Sequence, residues 1–347
     1  MTYEEAIKFI HSEKWQNHKP GLSRTRKLLS CIGNPEQGLK FIHIAGTNGK
    51  GSTAAMLASM LESAGYRTGL FTSPYVYEFE ERIQINRQNI PKEALAALVE
   101  EIAPHADAME DMPTEFEMIT AVGLLYFFRE KCDIVVLEAG MGGEFDSTNV
   151  IPVPEVAVLT AIGLEHTAYL GNTIEKIAAT KAGIIKEGGT VVIYGGNPEA
   201  EAVFERVCEA RHAKLVRPDF DTLNPVMHDW DGQLFDYRGF DNIRIPLLGE
   251  YQLYNAALAL TVIRVLNRKG GWFISDENVR RGLENTRWRG RLEVISRSPL
   301  VIVDASHNPQ GLAVTAKSLQ EYLEDGKLTF LIGSSSDKDI RDRKSVV

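Results

Sequence analysis

Short, continuous apolar runs alternate along the chain with longer segments in which apolar residues recur at helical spacing. Four runs rich in valine and isoleucine predict strands at Phe41–Ala45, Asp133–Leu137, Val156–Thr160 and Thr190–Tyr194. The helical spacing predicts helices at Ser52–Ala64, Glu115–Phe128, Ile174–Ile185 and Glu199–Ala210. Strands of a parallel sheet are buried on both faces, and they therefore read as continuous apolar runs. The pattern predicts an α/β fold with a mainly parallel sheet.

A second, shorter α/β unit begins near Trp288. It predicts a strand at Leu300–Val303, a helix at Asn308–Tyr322 and a strand at Thr329–Ile332, after a hinge at Asn285–Arg289. We therefore expect one domain over residues 1–285 and a second, incomplete one over residues 290–347. About 60 residues make a marginal domain, so we expect the chain as given to bind ligands across the hinge poorly.

The last six residues, Asp342–Val347, have a separate interpretation. Their back-translation resembles a sequencing adapter, which indicates that they are not native. An ordinary polar tail is the alternative.

Composition excludes several classes of protein. Apolar residues make up 44% and charged residues 24%, and there is no apolar run of the roughly 18 residues that a membrane span needs. The first ten residues carry Glu4 and Glu5 and read as an amphipathic helix, so they lack the apolar centre of a secretory signal. Three cysteines without metal-ligand spacing indicate a reducing compartment, and we expect a cytoplasmic protein.

The formal net charge of −9 disfavours a nucleic-acid partner, because binding to phosphate backbones needs clustered lysine and arginine. An anionic small molecule is still compatible with this charge, since a few local cations or a helix N-terminus can hold it. We expect small-molecule substrates, no membrane partner and a monomer.

The strongest local motif is Gly46–Ser52, Gly-Thr-Asn-Gly-Lys-Gly-Ser, between the first predicted strand and a predicted helix. Its glycines allow backbone N–H groups to face phosphate oxygens, and the helix dipole adds positive potential. Lys50 can reach the terminal phosphates, and the Ser52 hydroxyl is suited to Mg²⁺. A glycine-rich turn without a ligand is the alternative, but such a turn has no need for a lysine among three glycines.

The loop departs from the common P-loop, which ends Gly-Lys-Ser/Thr, because Gly51 stands between Lys50 and Ser52. In this it resembles the Mur ligase superfamily. Further segments resemble the folylpolyglutamate and dihydrofolate synthases of that superfamily, in the expected order along nearly the whole chain. They are Pro20–Leu22, Thr72–Pro74, Thr114–Glu117, Leu137–Gly143, Asp146–Asn149, Gly163–Thr167, Lys181–Ile185, Asn255–Ala257, Arg289–Glu293 and Asp304–Pro309.

The resemblance implies a P-loop ATPase domain followed by a truncated Rossmann-like domain, with ATP and two Mg²⁺ ions bound between them. It implies that Ser73 and Glu138 bind one ion near Ser52, and that Glu138 and His166 bind the other. It also implies that Lys181 is a carbamate, whereas a solvated helix lysine is the alternative. The implied nucleotide contacts are Thr47, Asn48, Gly49, Lys50, Gly51, Ser52, Asn255, Arg291 and Asp304.

The implied folate-binding residues are Gly21, Leu22, Ser23, Thr114, Glu115, Phe116, Glu117, Phe145, Asp146 and Ser147. Phe116 is equally compatible with a place in the core. Three residues depart from the family pattern: Tyr75 where histidine is frequent, Glu81 where asparagine is frequent, and Ser306 where glycine or alanine is common. The first two lie in a loop near the substrates, so they concern the pocket and not the reaction.

The implied reaction is ATP-driven addition of L-glutamate to a folate through an acyl phosphate, with Lys50, Glu138, His166 and Lys181 as catalytic residues. Whether dihydropteroate is also a substrate stays open. A Mur-type cell-wall ligase acting on a UDP-sugar is one alternative, and the segment around Thr114 argues against it. A non-enzymatic nucleotide-binding regulator is another, and the retention of Glu138, His166 and Lys181 argues against that.

Overall fold

The computed structural model describes residues 1–12, 20–323 and 328–333. Its helices are α1 (Tyr3–Ile10), α2 (Ser23–Cys31), α3 (Lys50–Ser63), α4 (Lys92–Asp107), α5 (Glu115–Arg129), α6 (Thr167–Leu170), α7 (Ile174–Lys181), α8 (Pro198–Ala210), α9 (Tyr251–Lys269), α10 (Asp276–Glu284) and α11 (Pro309–Tyr322). Its strands are β1 (Phe41–Ala45), β2 (Thr68–Phe71), β3 (Ile83–Ile85), β4 (Gln88–Asn89), β5 (Ile134–Glu138), β6 (Val156–Leu159), β7 (Thr190–Ile193), β8 (Lys214–Val216), β9 (Leu223–Asp229), β10 (Gly232–Tyr237), β11 (Phe240–Ile245), β12 (Glu293–Arg297) and β13 (Leu300–Val303).

The main sheet has the strand order β4-β3-β2-β5-β1-β6-β7-β8. From β2 to β8 the neighbouring strands are parallel, whereas β3 and β4 run antiparallel at one edge. The central strands β1 and β5 are buried at every position, which explains their continuous apolar sequence. The predicted α/β fold with a mainly parallel sheet is confirmed.

Helices cover both faces of this sheet because alternate residues of each strand point in opposite directions. On β1, Ile42 and Ile44 belong to a core shared with α3, α9 and α10, whereas Phe41 belongs to a core shared with α1, α2, α4 and α5. A third core, under α7 and α8, is formed around the ends of β6 and β7. Within the described ranges, no helix has both the length and the apolar character needed to cross a membrane.

The long predicted elements are confirmed with small shifts at their ends. The largest difference is in the helix predicted at Ile174–Ile185, because α7 ends at Lys181 and a 3₁₀ turn follows at Ala182–Ile184. Gly183 lies so close to Glu144 that a Cβ atom there would come within 2.3 Å of the Glu144 Cα. This close packing requires a glycine at position 183, within the 3₁₀ turn, and periodicity alone did not reveal it.

Several elements were absent from the sequence prediction. Besides helices such as α4 and α9, they include the strands β2, β3, β4 and β8 and the antiparallel sheet β9-β10-β11, which packs on the face of α9 and α10. Most residues of β9 are exposed, and β3, β4 and β8 have two or three residues each. Such segments give too little periodic signal to be recognised, and tertiary pairing decides them.

After α10, a β12–β13 antiparallel hairpin precedes α11. The predicted strand at Thr329–Ile332 is wrong, because residues 328–333 have no regular secondary structure. A strand needs a partner for its N–H and C=O groups, and none of the described strands pairs with this segment, whose Leu331 is fully exposed. Asp342–Val347 lie outside the described residues.

Candidate active site

The glycine-rich loop joins β1 to α3 at the carboxyl end of the sheet, where open parallel sheets bind their ligands. Gly49 has a φ of 87°, a left-handed conformation that favours glycine, and α3 begins at the next residue. The N–H groups of Thr47 and Asn48 donate to the Ala161 carbonyl at 2.9 and 3.2 Å, which fixes the entrance of the loop. The first-turn amides of α3 have no partner within the helix and can therefore face an anion.

Trp288 accounts for the inserted Gly51. A Cβ atom at Gly51 would lie 2.4 Å from the indole ring of Trp288, which is closer than atoms can approach. The indole belongs to the segment after α10, so a part of the chain that is distant in sequence packs against the phosphate loop. The extra glycine that distinguishes this loop from the common P-loop is therefore required by packing.

The start of α9 also supports the loop. The Gln252 amide donates to the Ser52 hydroxyl at 3.2 Å, and Asn255 donates to the Gln252 side-chain oxygen at 3.0 Å. Asn255 packs directly on Gly49. The sequence analysis had assigned Asn255 to the nucleotide but missed Gln252. Its position one helical turn before Asn255 is the only sequence signal that could have identified it.

Glu138, the last residue of β5, is only 3% exposed, and its Oε2 atom has no hydrogen-bond partner among the described residues. Burial raises the pKa of Glu138 to about 7, and Asp146 adds to this, while Lys50, a backbone hydrogen bond from Ser73 and Arg291 lower it. A buried carboxylate oxygen without a partner is costly and fits a cation ligand. Glu138 thus meets the requirement for binding Mg²⁺.

A protein-only metal cage is absent from residues 1–12, 20–323 and 328–333, which bring together no three His, Cys, Asp or Glu side chains that could hold an ion. This agrees with Mg²⁺, which usually uses one or two carboxylates together with phosphate oxygens and water. Ser52 lies in the first turn of α3 and Ser73 lies in the loop after β2, and their hydroxyls are of the required donor type.

The raised pKa of Glu138 predicts a pH-dependent stability in the absence of metal and nucleotide. The unfolded carboxyl ionises above its usual 4.5, whereas the folded one stays protonated to about 7. Between these pH values the carboxyl is ionised in the unfolded state but protonated in the folded state. The free energy of unfolding therefore falls as pH rises, by up to about 3 kcal/mol. We expect Glu138→Gln to remove this loss, so that the variant becomes more stable than the wild type towards pH 7.

This expectation can be checked by urea unfolding in EDTA from pH 4.5 to 8. Glu101→Gln is the control, since Glu101 forms an exposed ion pair with Arg129 and should show no such trend. A difference in the free energy of unfolding between wild type and Glu138→Gln that stays constant across this pH range would contradict the burial of Glu138 away from water.

Lys181, the last residue of α7, is 2% exposed and donates from Nζ to the Gly46 carbonyl at 2.7 Å. Burial, helped by the charge of Lys50, lowers the pKa of Lys181 to about 7, while Glu165 and Asp146 oppose this. The side chain therefore points beneath the phosphate loop, unlike exposed Lys176. Its amine is partly neutral near pH 7, and the neutral form is the one that reacts with carbon dioxide.

Glu165 links the main domain to the C-terminal part. Its Oε1 is 3.0 Å from Nε2 of His307 and 3.9 Å from Nε2 of His166. Although burial opposes ionisation, the hydrogen bond with His307 and the charges of Lys50, His166 and Lys181 lower the pKa of Glu165 to about 2. The sequence analysis assigned His166 but missed Glu165 and His307 as a pair, because 142 residues separate them.

A second contact across the same cleft joins the phosphate loop to α11. Asn48 and Asn308 exchange side-chain hydrogen bonds of 2.9 and 3.4 Å, and Asn48 also donates to Gln310 at 2.9 Å. Arg291 is close enough to Glu138 to affect its pKa. Asp304 accepts from the backbone amides of Leu292 and Ser306, so its carboxylate holds the local loop; contact with the nucleotide stays a prediction.

The segment predicted to bind folate at Thr114–Glu117 forms the N-terminus of α5. Thr114 and Glu117 make a capping box, a pattern readable from the Thr-x-x-Glu sequence. Glu117 is also buried in a bidentate pair with Arg24, with two hydrogen bonds of 3.0 Å. Its side chain therefore has a structural partner already, and a direct folate contact stays a prediction.

Two other residues predicted to bind folate also form hydrogen bonds within the protein. Asp146 is buried and accepts from the Met141 and Thr148 amides, and the Ser147 hydroxyl lies 2.6 Å from that of Thr120. Phe145, by contrast, is 51% exposed and available to a ligand.

Phe116 is half-buried against Phe71 and Gly140, so part of its ring belongs to the core, as its alternative reading proposed. Glu115 is half-buried, and its carboxylate lies 3.3 Å from His11. Gly21 and Leu22 are half-buried and Ser23 is exposed, at the start of α2. Folate binding by these residues stays a prediction.

Comparisons with known proteins give a consistent result. The family model described as Mur ligase middle domain matches residues 44–263, and the one described as Mur ligase, glutamate ligase domain matches residues 290–346. A dihydrofolate synthase/folylpolyglutamate synthase of Bacillus subtilis is 40% identical over 97% of this chain and 80% of the relative. A folylpolyglutamate synthase of Lacticaseibacillus casei is 38% identical over 98% of this chain and 81% of the relative.

Solved structures agree with the sequence relatives. A structure described as an FPGS–AMPPCP–folate complex superposes with a TM-score of 0.88 at 36% identity, covering 94% of this chain and 82% of the other. A folylpolyglutamate synthase of Thermotoga maritima superposes with a TM-score of 0.88 at 34% identity, covering 98% of this chain and 79% of the other.

Proposed function

The chain belongs to the folylpolyglutamate and dihydrofolate synthases of the Mur ligase family, and we propose that it is an ATP-dependent ligase that adds L-glutamate to a folate through an acyl phosphate. The observation that carries the proposal is one cluster at the carboxyl end of the sheet. There Lys50 is close enough to Glu138, Glu165 and Lys181 to affect the pKa of each. The cluster combines phosphate-binding and cation-binding groups.

The phosphate loop would hold the nucleotide. The amides that begin α3 face the phosphates, and Lys50 neutralises the charge that moves onto the leaving oxygen. Asn255 and Gln252 keep the loop in this conformation through their contacts with Gly49 and Ser52. Their contribution is preorganisation, which dominates phosphoryl transfer because little covalent chemistry is required of the protein.

The reaction would proceed in two steps. A carboxylate oxygen of the folate attacks the γ-phosphorus of ATP, the bond to the bridging oxygen breaks, and ADP leaves. The neutral amine of L-glutamate then attacks the acyl carbon, inorganic phosphate leaves and an amide forms, with one proton released. Closure of the cleft through the Glu165–His307 pair would exclude water, which would otherwise hydrolyse the acyl phosphate.

Magnesium fits this site through Glu138 and the hydroxyls of Ser52 and Ser73, and we assign a second ion to Glu138 and His166. When bound, Mg²⁺ neutralises phosphate charge and orients the attacking and leaving oxygens. Lys181, as a carbamate, would replace a cation beneath the loop by an anion. The folate would lie against Gly21–Ser23, Thr114–Glu117 and Phe145–Ser147, with Arg291 and Asp304 completing the nucleotide site from the C-terminal part.

The proposal is tested by phosphate release with ATP, Mg²⁺ and L-glutamate, in parallel reactions with tetrahydrofolate and dihydropteroate, on the chain extended to the length of its relatives, of which it covers 80% and 81%. We expect release only when all components are present, and mass spectrometry should find a product longer by one glutamyl residue. Turnover with both acids would identify a bifunctional enzyme, as the name of the B. subtilis relative states for that protein. Ligation to a UDP-sugar substrate, or no glutamate-dependent release, would refute the proposal.

A further inference from the structure

Arg82 differs from the other charged residues near the site because the Nε atom of its guanidinium is shielded from solvent without a hydrogen-bonded partner. It is 9% exposed, and in the described part of the chain its side chain makes no hydrogen bond or ion pair, with Nε shielded from solvent. Among the described residues, two aromatic rings lie beside it. The Cζ atom is 5.1 Å from the ring centre of Tyr75 and 5.6 Å from that of Phe79.

This arrangement is energetically unfavourable for a protein without a ligand. A guanidinium N–H removed from water needs an acceptor, and aromatic rings replace only part of that interaction. Burial lowers the pKa of Arg82, while the charges of Glu115 and Glu138 oppose this without forming a contact. A buried cation with free donors at a ligand-binding edge is a site for an anion.

The sheet register locates this cation relative to the metal ligand. Phe71, the last residue of β2, pairs with the first residue of β3 on one side and with the penultimate residue of β5 on the other. Arg82 immediately precedes β3, and its carbonyl accepts from Thr72 at 3.0 Å. Arg82 and Glu138 therefore flank the end of β2 in one row, with backbones roughly 10 Å apart.

The loop around Arg82 is ordered by Glu81. Its carboxylate accepts hydrogen bonds from the backbone amides of Val76 and Tyr77, at 2.8 and 3.3 Å, and from Glu78 at 3.2 Å. These bonds hold the segment that carries Tyr75 and Phe79, so the surroundings of Arg82 are formed by the protein alone. The glutamate that departs from the family pattern thus has a defined structural role.

We propose that Arg82 binds the carboxylate of the acid substrate, the group that is phosphorylated, and so selects acids over their neutral analogues. This inference rests on the proposed function. A guanidinium presents two parallel N–H groups that match the two oxygens of a carboxylate. Arg82 is close enough to Glu138, at the phosphoryl end, and to Glu115, in the segment assigned to folate, for both charges to act on it, and the reacting carboxylate must lie near both.

The nucleotide phosphates are a less suitable ligand for Arg82. We assign the phosphates to Lys50 and the start of α3, which follow β1. In the sheet, β5 separates β1 from β2. Arg82 is thus on the far side of Glu138 from the phosphate loop. A carboxylate held there faces the phosphates across Glu138, the arrangement that an attack on the γ-phosphorus requires.

The test is equilibrium binding, by calorimetry with Mg²⁺ and AMPPCP present, of two matched pairs: dihydropteroate and its carboxamide, and tetrahydrofolate and its γ-carboxamide. We expect the wild type to prefer the acid of at least one pair by about 30-fold or more. Arg82→Met should reduce that preference to within about threefold, and Arg82→Lys should keep part of it.

Thermal stability separates ligand binding from a structural role. Because Arg82→Met removes a buried charge without a partner, its melting temperature without ligands should equal or exceed that of the wild type. Its affinity for AMPPCP should be unchanged. Arg67→Met is the control: Arg67 precedes β2 at the opposite end, is exposed and pairs with Glu130, so acid preference should persist.

The outcomes are distinguishable. If the wild type binds none of the four compounds, the proposed function is wrong, and the inference that rests on it is wrong as well. If the wild type prefers the acid and Arg82→Met retains that preference, the inference alone is wrong. Loss of preference together with a lower melting temperature and weaker AMPPCP binding would make Arg82 structural and also refute the inference.

Discussion

Lys50→Ala and Glu138→Ala should each reduce glutamate-dependent phosphate release by at least about 100-fold, the usual effect of losing a preorganised charge partner in phosphoryl or acyl transfer. Lys50 begins α3 within the phosphate loop, and Glu138 holds the buried carboxylate oxygen that lacks a protein partner. The two variants should differ in binding. Lys50→Ala should weaken AMPPCP binding with or without Mg²⁺, whereas Glu138→Ala should remove mainly the part of affinity that depends on Mg²⁺.

Matched controls are available on the surface of the same domain. Lys27→Ala on α2 and Glu101→Ala on α4 remove the same charges at exposed positions and should leave both turnover and AMPPCP affinity unchanged. Turnover close to that of the wild type in either site variant would contradict the assignment of the phosphate and metal sites.

Lys181→Ala should be nearly inactive, and Lys181→Arg should not restore activity, if Lys181 acts as a carbamate. Its lowered pKa, caused first by burial, leaves part of the amine neutral near pH 7 and able to attack carbon dioxide with loss of a proton. The product still carries an N–H that can donate to the Gly46 carbonyl. A guanidinium cannot form this anion and would place a fixed positive charge beside the metal site.

Two measurements distinguish a carbamate from an ordinary buried lysine. Small carboxylates such as formate or acetate should partly restore turnover of Lys181→Ala by supplying the missing oxygens. Carbon-13 NMR after equilibration with labelled bicarbonate should give a carbamate signal that Lys181→Ala lacks and Lys176→Ala, altered at an exposed position of α7, retains. An active Lys181→Arg variant, or the absence of that signal in an active wild type, would refute the carbamate.

The sequence by itself determined the features that are local in the chain. The apolar runs of β1 and β5 marked a buried parallel sheet, and Gly46–Ser52 marked the phosphate loop, because strand burial and loop chemistry depend on neighbouring residues. The ordered motifs also identified the family, and they singled out Glu138 and Lys181, whose roles stay predictions. The Thr114–Glu117 capping box was readable in the same way.

Only the tertiary structure determined which residues contact each other across the site. The Glu165–His307 pair spans 142 residues and the Ser52–Gln252 hydrogen bond spans 200, and neither has a periodic or local signal. The short strands β3 and β4 placed Arg82 beside the end of β2, and their pairing was not predictable from two or three residues each. Burial of a charge depends on every surrounding segment at once, so the environments of Glu138, Lys181 and Arg82 became visible only after the chain was folded.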